Sequence, residues 1–168
     1  NLMTMDVARG RSWLKEICDL WIDEGLAPTR KKDERSKTGG YWSGTSHASL
    51  HKPDILAKMY ESGCTHLVYG LESFDPNILR NLGKGSNRKN NISSVSICME
   101  SGIIPVPNII IGFPDETFES IRNTITALIG LGINAKPHFA TAYPGSEWYY
   151  KYKNAIIKQY NGSLENYI

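Results

Sequence analysis

The segment Asn108–Thr117, Asn-Ile-Ile-Ile-Gly-Phe-Pro-Asp-Glu-Thr, constrains the fold of this chain more than any other: an apolar run halts at a glycine turn and opens an amphipathic helix. Consecutive isoleucines suit a strand buried on both faces, as in a parallel sheet flanked by helices. Gly112 and Pro114 end that strand, and Thr117 can cap the following helix, with Glu119 in its first turn. Active sites of α/β proteins lie beyond the carboxyl ends of the strands, so the junction is a candidate site wall. A second junction of this kind, Tyr69-Gly70-Leu71-Glu72-Ser73, lies one βα unit upstream, and a third, Tyr143-Pro144-Gly145-Ser146, one unit downstream. Strand ends rich in small and polar residues point to one shared site.

A helix–glycine–strand rhythm runs through the chain. Gly25, Gly63, Gly102 and Gly132 each close a helical pattern, the usual left-handed stop. Apolar stripes at helical spacing are Leu14-Ile17-Cys18-Trp21, Ile55-Leu56-Met59-Tyr60, Ile92-Val95-Met99, Ile121-Ile125-Leu128-Ile129, and Trp148-Tyr149-Tyr152-Ile156; a short helix falls around Ile78–Leu82. Strands are expected near 41–46, 66–71, 105–111 and 136–142, each followed by a helix, with a helix from Asp6 to Glu24 in front of the first. The mixed-charge run Arg30–Lys37 reads as a solvated loop. A parallel sheet must be covered on both faces or closed into a barrel. The expected fold is therefore α/β, a partial (β/α) barrel of parallel strands with outer helices and its N-terminal strands missing. Residues 1–150 form the partial core, and 151–168 start an incomplete C-terminal extension.

The net charge of +2 is too small to imply nucleic acid or a membrane surface. No apolar stretch approaches the roughly 18 residues of a membrane span. Cys18, Cys64 and Cys98 lack paired spacing, which favours reduced, buried thiols in a cytoplasmic protein and builds no metal knuckle.

In order and spacing, these signals resemble the radical S-adenosylmethionine (radical SAM) superfamily: Trp42 through Leu56, Gly-Leu-Glu-Ser at 70–73, Lys84-Gly85, Glu100-Ser101-Gly102-Ile103, Ile-Ile-Gly-Phe-Pro-Asp-Glu-Thr at 110–117, and Tyr-Pro-Gly-Ser at 143–146. The phrasing is most similar to the cobalamin-type subgroup. The resemblance implies a partial barrel of the radical SAM type, truncated before the CxxxCxxC cluster loop, whose cysteines are expected upstream of Asn1. It implies SAM and a [4Fe-4S] cluster as cofactors, with cobalamin through an upstream domain. The implied activity of the full-length enzyme is reductive cleavage of SAM to a 5′-deoxyadenosyl radical, this segment forming the ribose and adenine side of the SAM site. The segment alone is expected to be inactive. Implied partners are a small-molecule or cofactor-like substrate and an electron donor such as flavodoxin or ferredoxin.

Carried over by residue, Glu72 would accept hydrogen bonds from the vicinal ribose hydroxyls, with Ser73 adding a polar contact; both residues also suit a cap for the helix starting near Pro76. Ile110, Ile111 and Gly112 would pass the adenine, because glycine lets a flat base approach the main chain. Pro144 would shape a cofactor wall or a plain turn. Lys84 would pair with a carboxylate of SAM or substrate, or stay solvated. Glu116 supports the turn after Gly112. His47 stands where relatives often carry arginine, and it could bond, shuttle protons or read a substrate group. His51, His66 and His138 have no metal-ligand spacing. Two rivals remain: a barrel hydrolase or aldolase, for which only Glu72 is well placed, and a degenerate barrel acting as a non-catalytic binding or scaffold module.

Overall fold

The computed structural model describes residues 2–3, 11–28, 39–48 and 52–162. The elements run β1 (Leu2–Met3), α1 (Arg11–Asp23), β2 (Trp42–Ser46), α2 (Pro53–Glu61), β3 (Cys64–Glu72), α3 (Pro76–Leu82), α4 (Arg88–Glu100), β4 (Ile104–Ile111), α5 (Phe118–Leu131), β5 (Lys136–Phe139) and α6 (Glu147–Gln159). They form one sheet in the sequential order β1-β2-β3-β4-β5. The pairs β1–β2, β2–β3 and β3–β4 are parallel. This is an α/β fold, a partial barrel of parallel strands and helices. The chain divides into two compact units, Asn1–His138 and Phe139–Ile168. The boundary expected at residue 150 falls inside α6.

Local sequence sets where the helices begin. Asp75 caps α3 by accepting from the Asn77 and Ile78 amides, and Asn87 caps α4 through the Asn90 amide. Thr117 and Ser120 form a reciprocal capping box at α5. In the second unit, Ser146 caps α6 through the Tyr149 amide. The core of the first unit packs Leu14 and Cys18 of α1 and Leu56 and Met59 of α2 on Leu67 and Tyr69 of β3. Trp42 ties β2 to the end of α2, its indole donating to the Ser62 carbonyl at 3.1 Å.

Several expectations are corrected. A two-residue strand, β1, precedes the first helix; Leu2 and Met3 sit opposite Gly44 and Thr45, too short a run for periodicity to expose. β4 is not buried on both faces: Pro105, Pro107 and Ile109 are buried, but Ile104 is 55% and Val106 38% exposed. The last strand is four residues long and exposed throughout. On α4 the buried face is Asn91-Ser94-Val95-Cys98, with Met99 outside. On α5 it is Ser120-Thr124-Ala127, while Ile125 and Ile129 face solvent. Asn91 and Thr124 point inward to partner the loop at the C-terminal end of β3, and Ser120 closes the cap of its own helix. The Arg30–Lys37 run, His51 and the start of the expected first helix lie outside the described residues. Among those described, no helix is long and apolar enough to cross a membrane.

Candidate functional site

The C-terminal end of β3 is where this sheet becomes irregular. Gly70 lies opposite Asn108, but the next registered pair is Glu72 with Ile109, so Leu71 is an extra residue in the ladder. Such a bulge bends a strand and re-aims the side chain that follows. Glu72 takes a left-handed backbone with φ 60°, and the Ser73 amide donates to the Leu71 carbonyl at 2.7 Å across it. A three-residue turn with positive φ at a non-glycine centre is strained, of the order of 1–3 kcal/mol.

That strained residue holds a carboxylate. Glu72 is 7% exposed. Its Oε1 accepts from the Lys84 ammonium, and its Oε2 is buried with no hydrogen-bond partner among the described residues. Lys84 reaches in from the α3–α4 loop, between Gly83 and Gly85, both left-handed. Gly70 makes the room: a Cβ added there would stand 3.0 Å from Glu72 Oε1 and 3.2 Å from Lys84 Nζ. The pair therefore lies over the sheet face of Val68 and Gly70, away from the helix-packed face of Leu67, Tyr69 and Leu71.

Hydrogen bonds brace the turn from behind. Asn91 of α4, fully buried, donates from Nδ2 to the Leu71 carbonyl at 3.1 Å and to the Ser73 carbonyl at 3.0 Å. The Ser73 hydroxyl accepts from the Asp75 amide at 3.0 Å and meets Thr124 Oγ1 at 3.0 Å. Thr124 also accepts from the Phe74 amide. The cap of α3 is Asp75, so the capping alternative for Glu72 and Ser73 is not what the structure contains. Asp75 Oδ2 accepts from Asn123 at 2.9 Å. Burial by itself pushes the Asp75 carboxyl up; the hydrogen bonds from Asn123, Ile78 and Asn77, with Arg88 nearby, outweigh it and leave the group below its usual value.

The neighbouring strand ends at the same edge. Because β3 and β4 are parallel and adjacent, Glu72 and Gly112 both lie at the C-terminal edge, with Ile110 and Ile111 half-buried just before Gly112. Gly112 has φ 86°, and its amide donates to the Glu116 carboxylate, which closes the turn. His47, half-buried, follows the end of β2 one residue past Ser46, which pairs with Tyr69. Pro144 belongs to the second unit. There it stands in a tight turn in which the Ser146 amide and hydroxyl both donate to the Tyr143 carbonyl, at 3.0 and 2.6 Å.

Chemically, the edge offers a carboxylate with one oxygen paired to lysine and the other without a partner among the described residues. A pair of hydroxyls fits that demand. A polar cleft of about 330 Å³ lies beside it, lined by Asp75, Asp115, Thr117, Glu119 and Asn123 among others. A larger cavity of about 610 Å³ opens where β3 and β4 begin, at His66, Gly102 and Ile104, away from this chemistry. Among the described residues no group of three or more His, Cys, Asp or Glu side chains could hold a metal ion. Sequence reasoning placed Gly70 in a strand-end junction but gave it no role, and it missed Asn91 and Thr124. Asparagine in a helix interior is unfavourable on propensity, and that was the one available signal for Asn91.

Residues 16–128 match the family model of the radical SAM superfamily. The chain is 34% identical over 122 residues to an uncharacterized methyltransferase of Pyrococcus horikoshii, covering 71% of this chain and 27% of that protein. It is 30% identical over 125 residues to the bacteriochlorophyllide d C-12(1)-methyltransferase of Chlorobaculum tepidum, covering 72% of this chain and 27% of that protein. The chain thus spans 27% of the length of each of these curated relatives. A similar fold occurs in the radical S-adenosylmethionine methyltransferase TsrM from Kitasatospora setae, solved with cobalamin and a [4Fe-4S] cluster bound: TM-score 0.67 at 16% identity, over 92% of this chain and 30% of that one. With the family match spanning α1 to α5 and the parallel sheet in place, the chain belongs to the radical SAM superfamily.

Proposed function

We propose that this chain is part of a radical SAM enzyme of the methyl-transferring kind, and that the edge built on Glu72 and Gly112 is the ribose and adenine side of its SAM site. The observation that carries the reading is the buried Glu72 carboxylate, beside the space kept by Gly70, with one oxygen unpartnered among the described residues. Leaving a buried acceptor unpaired costs roughly 1–3 kcal/mol, a penalty a scaffold has no reason to retain and a ligand hydroxyl removes. Methyl transfer is supported by the names of both curated relatives.

The residues present fit SAM but not the cluster. Glu72 Oε2 would accept from the ribose hydroxyls while Lys84 keeps Oε1 occupied. Ile110 and Ile111 would flank the adenine, and Gly112 would let it approach the main chain. Ser73, its oxygen engaged with Asp75 and Thr124, would shape the turn behind Glu72. His47 would face the substrate side. Cys18, Cys64 and Cys98 are buried, and burial pushes the Cys98 thiol up to about 11, so none is suited to ligate iron. The cluster and cobalamin are assigned to parts of the protein outside this segment, and reduction to a donor of the flavodoxin or ferredoxin kind. When bound and reduced, the iron–sulfur cluster would supply the electron for the reductive cleavage of SAM.

The test is Glu72→Ala in the whole protein, reconstituted anaerobically. SAM affinity should fall by about 1–3 kcal/mol, the range for a charge-assisted bond, with the iron–sulfur absorbance unchanged. Wild-type affinity in that variant would remove Glu72 from the site.

A further inference from the structure

We infer that Asn91, a residue of α4 that would touch no ligand, is the positioning residue that holds Glu72 in its ligand-competent backbone conformation; this rests on the ribose-side reading of Glu72. Glu72 sits at the centre of a strained turn, with φ 60° in a side-chain-bearing residue. The strain persists only if its surroundings over-determine it. The carbonyls immediately before and after Glu72, those of Leu71 and Ser73, both accept from the single amide group Asn91 Nδ2, at 3.1 and 3.0 Å. One planar NH2 group thereby fixes the separation and direction of the two peptide units that define the Glu72 backbone.

Asn91 is 0% exposed, and its Oδ1 has no partner among the described residues. A buried amide that leaves its own acceptor unsatisfied is a poor choice for stability alone, since an apolar residue of similar size would avoid the penalty. Its presence is explained by the two donors it delivers. The register of the sheet makes the same point: the bulge takes Leu71 out of the ladder, Ser73 lies just past the strand end, and Asn91 takes up both carbonyls. Without Asn91, the turn is free to relax, and the carboxylate leaves the face above Gly70.

The experiment is a double-mutant cycle on SAM binding in the whole, reconstituted protein, read as a dissociation constant with the iron–sulfur absorbance and circular dichroism followed in parallel. Asn91→Val keeps a similar volume but removes both donors, and Asn91→Ser keeps one donor and serves if the apolar side chain prevents folding. Each should weaken SAM binding about tenfold, the effect of lowering the competent population by that factor. In a Glu72→Ala background the same substitution should change affinity less than about twofold, because the side chain it positions is gone. Equal losses in both backgrounds, or wild-type affinity in the Asn91 variants while Glu72→Ala binds weakly, would overturn the positioning role and leave the ribose-side reading intact. Wild-type affinity in Glu72→Ala would overturn that reading and this inference with it.

Discussion

Gly70→Ala is the substitution that most sharply separates site geometry from stability. The φ of Gly70 is not left-handed, so alanine can adopt its backbone. The new methyl would stand 3.0 Å from Glu72 Oε1 and 3.2 Å from Lys84 Nζ, which forces each to retreat by a few tenths of an ångström. Lys84, with its side chain 40% exposed, swings outward; Glu72, at 9%, has less room and is driven off its position. Overpacking costs about 1–3 kcal/mol, while loss of glycine's unfolded-state freedom returns about 0.4–1 kcal/mol. Net stability should therefore fall by only about 1 kcal/mol. A displaced carboxylate loses most of its bond to the ligand, so SAM affinity should fall about tenfold or more. Parallel urea denaturation and equilibrium dialysis with labelled SAM in the whole protein measure the two effects. A folded Gly70→Ala protein with wild-type SAM affinity would refute the reasoning, because the carboxylate would then not need the space that glycine keeps.

Lys84→Met should leave both Glu72 oxygens without a partner; because Lys84 is partly exposed, the expected loss is about 1–2 kcal/mol rather than the full cost of breaking a buried pair, read from the urea midpoint. Asp75 has a folded-state pKa below its unfolded one, so its stabilisation is present above the unfolded value of about 3.9 and is lost as pH falls through the folded value. The stability gap between wild type and Asp75→Asn should accordingly narrow in urea titrations as pH drops from about 6 to about 3, and a gap independent of pH would contradict that ionic role.

The parallel order of the sheet was legible because glycine stops and apolar strands recur at the interval of one βα unit, and each strand end then falls on the same edge. Glu72 and Gly112 could be placed for that reason. The inward faces of α4 and α5 could not. Periodicity counts apolar residues, and these helices turn Asn91 and Thr124 inward to serve the carbonyl and amide groups of a turn far away in sequence. The Glu72–Lys84 pair was equally hidden. Twelve residues apart, its partners meet only because a bulge re-aims one and a loop with left-handed glycines delivers the other. The isoleucine run misled on burial, since consecutive apolar residues look the same whether the second face meets helices or an open interior.

That second face explains how the site is approached. Helices cover the side of the sheet that carries Leu67, Tyr69 and Leu71. The opposite side carries Val68 paired with Val106, and His66 paired with Ile104, with Val106 and Ile104 well exposed. An apolar face of this kind is costly in water and normal inside a barrel, where side chains from facing strands or a bound molecule cover it. Gly70 and Asn108 follow on that same face toward the C-terminal edge, and the Glu72 carboxylate lies above Gly70. Among the described residues, that side thus carries Val68, Val106 and Ile104 together with the polar His66 and Asn108, and the Glu72–Lys84 pair at its upper rim. A molecule with a flat apolar part and a hydroxylated part would enter from the barrel interior, set its apolar part against the sheet, and present its hydroxyls to Glu72 without crossing the helix-packed core.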